Sequence, residues 1–322
     1  MGATTLLRKL KGSMFPKLVL DRTLLDKQIA ELQGTLSDVT AKYEAELTAA
    51  RAAVAQAAAA AAQASAAQAT FHFRGYDIPV DLMRMTGGGP ETFEEISAMH
   101  QKNLAKWIGI EPQHSILEIG CGIGRDAIPL STTLTRGSYV GVDIIGRSID
   151  WCTAYIGARH PNFRFVHYDV DDQLHNPDGT TRTEAIVLPI EDQSIDRIFL
   201  FSVFTHMYQK DIEHYLREFR RVLKPDGLVY ATTFIYDDAI LESARRTNRT
   251  IFNLRFEHEL HEGCRINSLE YPLGAVAFTR ELWQKMLIAG SMKLAKPILN
   301  GQWSGFYDKF DDGQDVLILQ PA

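Results

Sequence analysis

The sequence predicts an α/β domain, a mostly parallel sheet flanked by helices, preceded by a separate helical extension. Three observations predict it. Short apolar runs at 116–119, 138–144, 162–168 and 195–201 have the length of buried strands, with longer segments between them. Glycines stand at every second position after the first run, at Gly120, Gly122 and Gly124. The first seventy residues follow a different rule, with large apolar residues stepping by four and three.

Residues 1–20 read as a basic arm, with Arg8, Lys9, Lys11 and Lys17 among Leu6, Leu7, Leu10, Met14 and Phe15. Such an arm suits an anionic membrane surface, and equally a disordered tail. Met1-Gly2 lacks the Ser or Thr of a myristoylation signal, since that position is Leu6. From residue 21 to 69 a helix is expected. Leu25, Ile29, Leu32, Leu36, Val39 and Tyr43 form the seam of a coiled coil, and Leu47, Ala50 and Val54 continue it after a phase shift. Residues 49–69 are nearly all alanine, so helix propensity is high and bulk is low. A solvated spacer and a self-association seam are both consistent with this pattern.

Residues 71–89 read as a linker, broken by Gly87-Gly88-Gly89-Pro90, and 91–108 as a helix beside the first strand. Ile116 to Ile119 is a buried strand with one acid, Glu118. The glycines that follow make a tight turn into a helix, where backbone can approach a ligand. The sixth position is Arg125, which departs from the dinucleotide fingerprint with its third glycine there. Asp143 ends the second strand, where an acid can accept hydrogen bonds from ribose hydroxyls. After the strand 162–168 comes a long loop to Leu188 containing Asn176-Pro177-Asp178-Gly179, a turn signal. Then follow the strand 195–201, the segment Ser202 to Met207, an amphipathic helix from Tyr215 to Leu223, a turn at Lys224 to Gly227 and the strand 228–234. Residues 235–276 interrupt the alternation. A helix at 279–289 and strands at 292–298 and 315–320 complete it.

The run from Glu118 to Gly124 (Glu-Ile-Gly-Cys-Gly-Ile-Gly), the strand-end Asp143, Ser-Val-Phe-Thr-His-Met at 202–207 and Arg-Arg-Val-Leu-Lys-Pro-Asp-Gly at 220–227 occur in this order. Together they resemble the class I S-adenosylmethionine-dependent methyltransferases over residues 110 to 235. Asp226 departs from the family, which more often has glycine there. The resemblance implies a Rossmann-like seven-stranded sheet with the last strand inserted antiparallel. It implies S-adenosyl-L-methionine as cofactor, with Glu118, Gly120 and Gly122 at its amino-acid end, Asp143 at its ribose and Asp169 near its adenine. Gly124, Ile144 and Val170 complete that expected site. His206 is the candidate base, against the alternative that it orients its loop or lines the pocket. The runs 155–165, 202–207 and 313–319 further resemble stand-alone bacterial methyltransferases associated with surface-polysaccharide assembly.

Net charge is −6 over 322 residues, which argues against a general nucleic-acid binder. Cys121, Cys152 and Cys264 are isolated, without metal or disulfide spacing, and a reducing, cytoplasmic setting is expected. No apolar run approaches a membrane span, and no metal site is expected. His258, Glu259 and His261 have a zinc-compatible spacing without a third ligand, so a solvated helix face is the expectation there. Arg245, Arg246, Arg249 and Arg255 make a basic run suited to an anionic group, or a solvated face. The insertion 235–276 and the loop 171–187 are expected to form the acceptor side of the pocket. The leading expectation is O-methylation of a sugar or other small polar metabolite, with self-association through the helix. The alternatives are methylation of a lipid or membrane-linked intermediate, and a non-catalytic regulatory or scaffolding protein.

Overall fold

The computed structural model describes residues 24–54, 56, 69–172, 176–181 and 186–322. The basic arm lies outside them. The chain divides into two units, Met1–Ala67 and Gln68–Ala322. In the first, residues 24–54 are one helix, α1, and Leu25, Ile29, Leu32, Leu36, Val39 and Tyr43 are all exposed along it.

The second unit opens with a hairpin of β1 (Thr70–Phe73) and β2 (Tyr76–Pro79), where a linker was expected. Its turn is Arg74-Gly75, both at positive φ (48° and 85°), the backbone a two-residue hairpin requires. Phe73, Tyr76 and Ile78 are buried, so the hairpin is part of the core. Helices α2 (Val80–Arg84) and α3 (Phe93–Trp107) follow.

The main sheet contains β3 (Ser115–Ile119), β4 (Ser138–Asp143), β5 (Phe163–His167), β6 (Ile195–Leu200), β7 (Leu223–Thr233), β12 (Met292–Leu294) and β13 (Asp315–Pro321). Its order is β12-β13-β7-β6-β3-β4-β5. Strands β3 to β7 pair in parallel, and β13 lies antiparallel between β7 and β12. The helices α4 (Ala127–Thr133), α5 (Gly146–Cys152), α6 (Gln209–Val222) and α8 (Arg280–Ala289) cover it. Alternation along each strand sorts the two faces. Leu117, Ile119, Val229 and Ala231 join α6 and α8 in one core. Ile116, Tyr139, Phe199 and Tyr230 join α3, α4 and α5 in the other. In α6 the buried residues Ile212, Tyr215, Leu216, Phe219 and Val222 mark one face at helical spacing, and a capping box of Tyr208 and Asp211 starts it.

Lys224 to Gly227 is not a turn between helix and strand, as the sequence suggests. It is looped out within β7, which pairs Leu223 with Ile195 and Leu228 with Arg197. A Cβ at Gly227 would lie 2.6 Å from Leu223 Cδ2, which accounts for glycine there. The insertion forms a second sheet of β8 (Ile235–Tyr236), β9 (His258–His261), β10 (Cys264–Ile266) and β11 (Val276–Thr279), in the order β8-β11-β10-β9, with α7 (Asp238–Thr247). The stretch His258–His261 is thus a strand and not a helix. Its period-2 geometry sets neighbouring side chains on opposite faces, and no metal-binding cluster exists among the described residues. Phe234, Tyr236, Phe256 and Trp303 give this sheet its own small core. All three cysteines are free and buried.

Candidate active site

Parallel strands leave a crevice where neighbouring connections run to opposite sides, here between β3 and β6. A cavity of about 380 Å³ opens there, at the carboxyl ends of β3, β4, β6 and β7. Its floor is Glu118, Gly120, Cys121 and Gly122. One wall, toward β4 and β5, is Asp143, Ile144, Ile145, Tyr168 and Asp172. The opposite wall combines Phe201, Ser202, Thr232 and Gln314 from the β6, β7 and β13 side with His100 from α3.

The glycine turn is shaped by conformation and crowding together. Gly120 and Gly122 have φ of 77° and 51°, the left-handed region that side chains disfavour. A Cβ on Gly120 would lie 2.5 Å from Val203 Cγ2, and one on Gly122 would collide with Thr86 Cγ2. Asp143 holds the turn from β4: its Oδ2 accepts the Gly122 amide at 2.6 Å and its Oδ1 accepts the Ile145 amide at 2.8 Å. Glu118 is buried and accepts a hydrogen bond from the Tyr139 hydroxyl. Burial, then the neighbouring Asp126, pushes its carboxyl well above the usual range.

Of the residues expected from sequence, Glu118, Gly120, Gly122, Asp143, Ile144 and His206 all line the cavity. Three others do not. Gly124 packs away from it, with a Cβ there 2.5 Å from Ile156 Cδ1. The Asp169 carboxylate is turned into its own loop by Thr180 Oγ1 at 2.7 Å and Asn176 Nδ2 at 3.1 Å, and Val170 is buried in the core beneath. Tyr168 and Asp172 occupy the wall in their place. No residue of 235–276 lines the cavity. The insertion meets it through His206, whose Nδ1 donates to the Leu273 carbonyl at 2.8 Å. Neither His100 nor Gln314 was found from sequence. A histidine at the centre of an amphipathic helix and a glutamine before a C-terminal strand carry no local signal of a shared site.

Gln314 Nε2 donates to Ser202 Oγ at 2.8 Å, while its buried Oε1 has no partner among the described residues. Ser202 itself sits at φ 57°, and its amide donates to Thr232 Oγ1 at 2.7 Å. A non-glycine residue in that region is held by its surroundings, a form of strain that concentrates at functional sites.

Residues 116–227 match the family described as "Methyltransferase domain". Over those residues the chain is similar to methyltransferase domains. Among similar proteins, sterol 24-C-methyltransferase ERG6B of Gibberella zeae is 26% identical over 191 residues, covering 58% of this chain and 44% of that protein. The 27-O-demethylrifamycin SV methyltransferase of Amycolatopsis mediterranei is 26% identical over 172 residues, covering 50% and 57%. The PH0226 protein of Pyrococcus horikoshii OT3, a solved structure, is 15% identical with a TM-score of 0.47, covering 71% of this chain and 91% of that one. The chain thus spans about half the length of the curated relatives it matches.

The cradle fits the cofactor of this family. Gly120 and Gly122, without side chains on either side of Cys121, leave room for close approach, and the strand-end Asp143 offers acceptor oxygens on the wall where Tyr168 supplies a flat apolar surface. Bound there, the cofactor would have Glu118 and the glycine turn at its amino-acid end and Asp143 at its ribose.

Proposed function

We propose that the chain is an S-adenosylmethionine-dependent O-methyltransferase acting on a small polar, sugar-like acceptor. The observation that carries this reading is the polar wall facing the cofactor cradle across the cavity. Ser202, Thr232 and Gln314 put hydroxyl and amide groups there, and the unpartnered Gln314 Oε1 suits a donor such as an acceptor hydroxyl. The names of the relatives divide between a carbon acceptor, in the sterol enzyme, and an oxygen acceptor, in the rifamycin enzyme. The polar wall favours oxygen.

The cofactor, when bound, supplies an activated methyl group. The chain's own contribution is alignment, exclusion of water and handling of the acceptor's proton. A screen of S-adenosylhomocysteine release over hydroxylated acceptors tests the reading. Turnover with sugars or polyols supports it, and turnover confined to carbon, nitrogen or sulfur nucleophiles overturns it.

A second reading, a membrane-linked acceptor, draws support from one loop. Ile251 is 94% exposed and Phe252 66%, beside the exposed Arg246 and Arg249. Apolar tips with a cationic collar suit an anionic lipid surface. Co-flotation with vesicles of phosphatidylcholine containing phosphatidylglycerol, lost in Ile251→Ser/Phe252→Ser, would favour this second reading. Self-association through 21–69 completes the proposal, supported by the apolar seam that α1 exposes.

A further inference from the structure

We propose that His100, oriented by Asp126, is the base that takes the acceptor's proton in this methyl transfer. The inference rests on the O-methyltransferase reading above and goes beyond it by moving the proton-accepting role from His206 to a residue of α3.

The pair is almost fully enclosed, with the His100 side chain 5% and the Asp126 side chain 2% exposed, and His100 Nδ1 lies 2.7 Å from Asp126 Oδ2. A carboxylate only accepts, so Nδ1 carries the hydrogen and Nε2 is the ring atom left to bind a proton. The second Asp126 oxygen accepts from Gln101 Nε2 at 3.2 Å, which fixes the carboxylate in turn. Phe201 fixes the plane of the ring, stacked on it at 3.4 Å between centroids and 2° between planes. Both His100 and Phe201 line the cavity, on the wall that carries Ser202 and Gln314 and across the glycine turn from Asp143.

Charge separates the two histidines. A ring that takes a proton becomes a cation, and a carboxylate on its other nitrogen stabilises that cation far better than a neutral carbonyl. At Nδ1 His100 has the Asp126 carboxylate, and at the same atom His206 has the Leu273 carbonyl. Burial works to raise Asp126, yet the charge of a protonated His100 ring, its hydrogen bond and Arg125 hold the carboxyl below the usual range, which favours the carboxylate once the ring has taken its proton. Glu118, the other acid facing Asp126, has the opposite tendency and is held toward its neutral form. As the acceptor oxygen forms its bond to the methyl carbon, its proton passes to His100 Nε2. The electron pair of the broken S–C bond stays on sulfur in the thioether product.

The test uses the full chain labelled with 15N-histidine, and needs no acceptor. His100→Gln assigns the signal. Its titration midpoint is then measured with saturating S-adenosylhomocysteine and with saturating S-adenosylmethionine, which differ by one methyl group and one positive charge. A ring facing the reacting centre should titrate lower with the sulfonium compound by about half a unit or more. Equal midpoints would place the ring out of reach and overturn the proposal. Calorimetry in parallel separates this from failure of the cofactor reading, in which neither compound binds. With an acceptor from the hydroxyl screen, His100→Gln should lower kcat about 100-fold or more and remove the acidic limb of the pH–rate profile, with cofactor Kd changed little. Loss of that limb in His206→Gln but not in His100→Gln would return the role to His206.

Discussion

One carboxylate, that of Asp143, accepts the amide of Gly122 from the turn before it in space and the amide of Ile145 from the turn after it in sequence. Two loops from neighbouring strands are thereby locked to a single side chain before any ligand arrives. The cradle is preorganised, and its stiffness depends on both oxygens being acceptors.

Asp143→Asn should therefore cost more than a lost charge. One amide would face an NH2 group, at about 1–3 kcal/mol, or roughly 5- to 150-fold in Kd for S-adenosylmethionine. Calorimetry of the two proteins measures it. An unchanged Kd would show that Asp143 is not part of the cradle.

Gly122→Val should abolish cofactor binding for two reasons that can be separated. The left-handed φ of 51° opposes any side chain, and the new Cβ meets Thr86. Thr86→Ser removes the colliding methyl and leaves the backbone strain. Gly122→Ala in the Thr86→Ser background should thus bind more tightly than Gly122→Ala alone, and more weakly than the parent. Full recovery would assign the whole effect to the collision.

Asp315 predicts a pH dependence of stability. Burial pushes its carboxyl up to about 6, against the opposing pull of the Ile235 and Gly301 amides and the Trp303 indole N–H, each at 2.8 Å. A folded value above the ordinary one near 3.8 means that the contribution is fully present below pH 4 and lost as pH rises through 6. Urea unfolding at pH 5 and pH 7.5 should show the parent's advantage over Asp315→Ala shrinking by about 1–2 kcal/mol at the higher pH. An advantage that grows with pH would mean that the three donors outweigh burial.

Deleting residues 1–69 should leave a monomeric domain that binds S-adenosylmethionine as the full chain does, because the described residues that line the cavity all belong to the second unit. Light scattering of both proteins checks the first half and calorimetry the second. Equal particle numbers of chains in the two would show that the exposed seam of α1 does not drive self-association. Loss of cofactor binding on truncation would move the boundary near residue 70.

The sequence makes the central strands legible because Ile116 to Ile119, Ser138 to Asp143 and Ile195 to Leu200 carry apolar residues on both faces over most of their length, as buried parallel strands do, with Glu118, Asp196 and Arg197 the charged exceptions inside them. Glu118, Gly120, Gly122 and Asp143 are legible for a related reason: each sits at a strand end, so position along the chain determines position in the crevice. Asp169 fails the same logic because Asn176 and Thr180, in a loop whose course is not encoded locally, capture its carboxylate. His100 and Gln314 are separated by more than two hundred residues, and only the completed topology sets them on one wall. The β1–β2 hairpin escapes notice because its strands are four residues each, too short for alternation to stand out.

The place of β13 has a consequence for how the domain is made. It is the last strand of the sheet in chain order, yet it lies between β7 and β12, with Val316 to Leu319 wholly buried. A nascent chain that has finished β7 and β12 still has an open slot in its sheet, bordered by unpaired backbone and apolar side chains. Asp312 and Gln314 arrive with β13, and Asn103 of α3 donates to Asp312 Oδ2 at 2.8 Å only once they do. The wall that Gln314 supplies is thus the last part of the cavity to be made, long after the cradle of Glu118 to Asp143 has been synthesised.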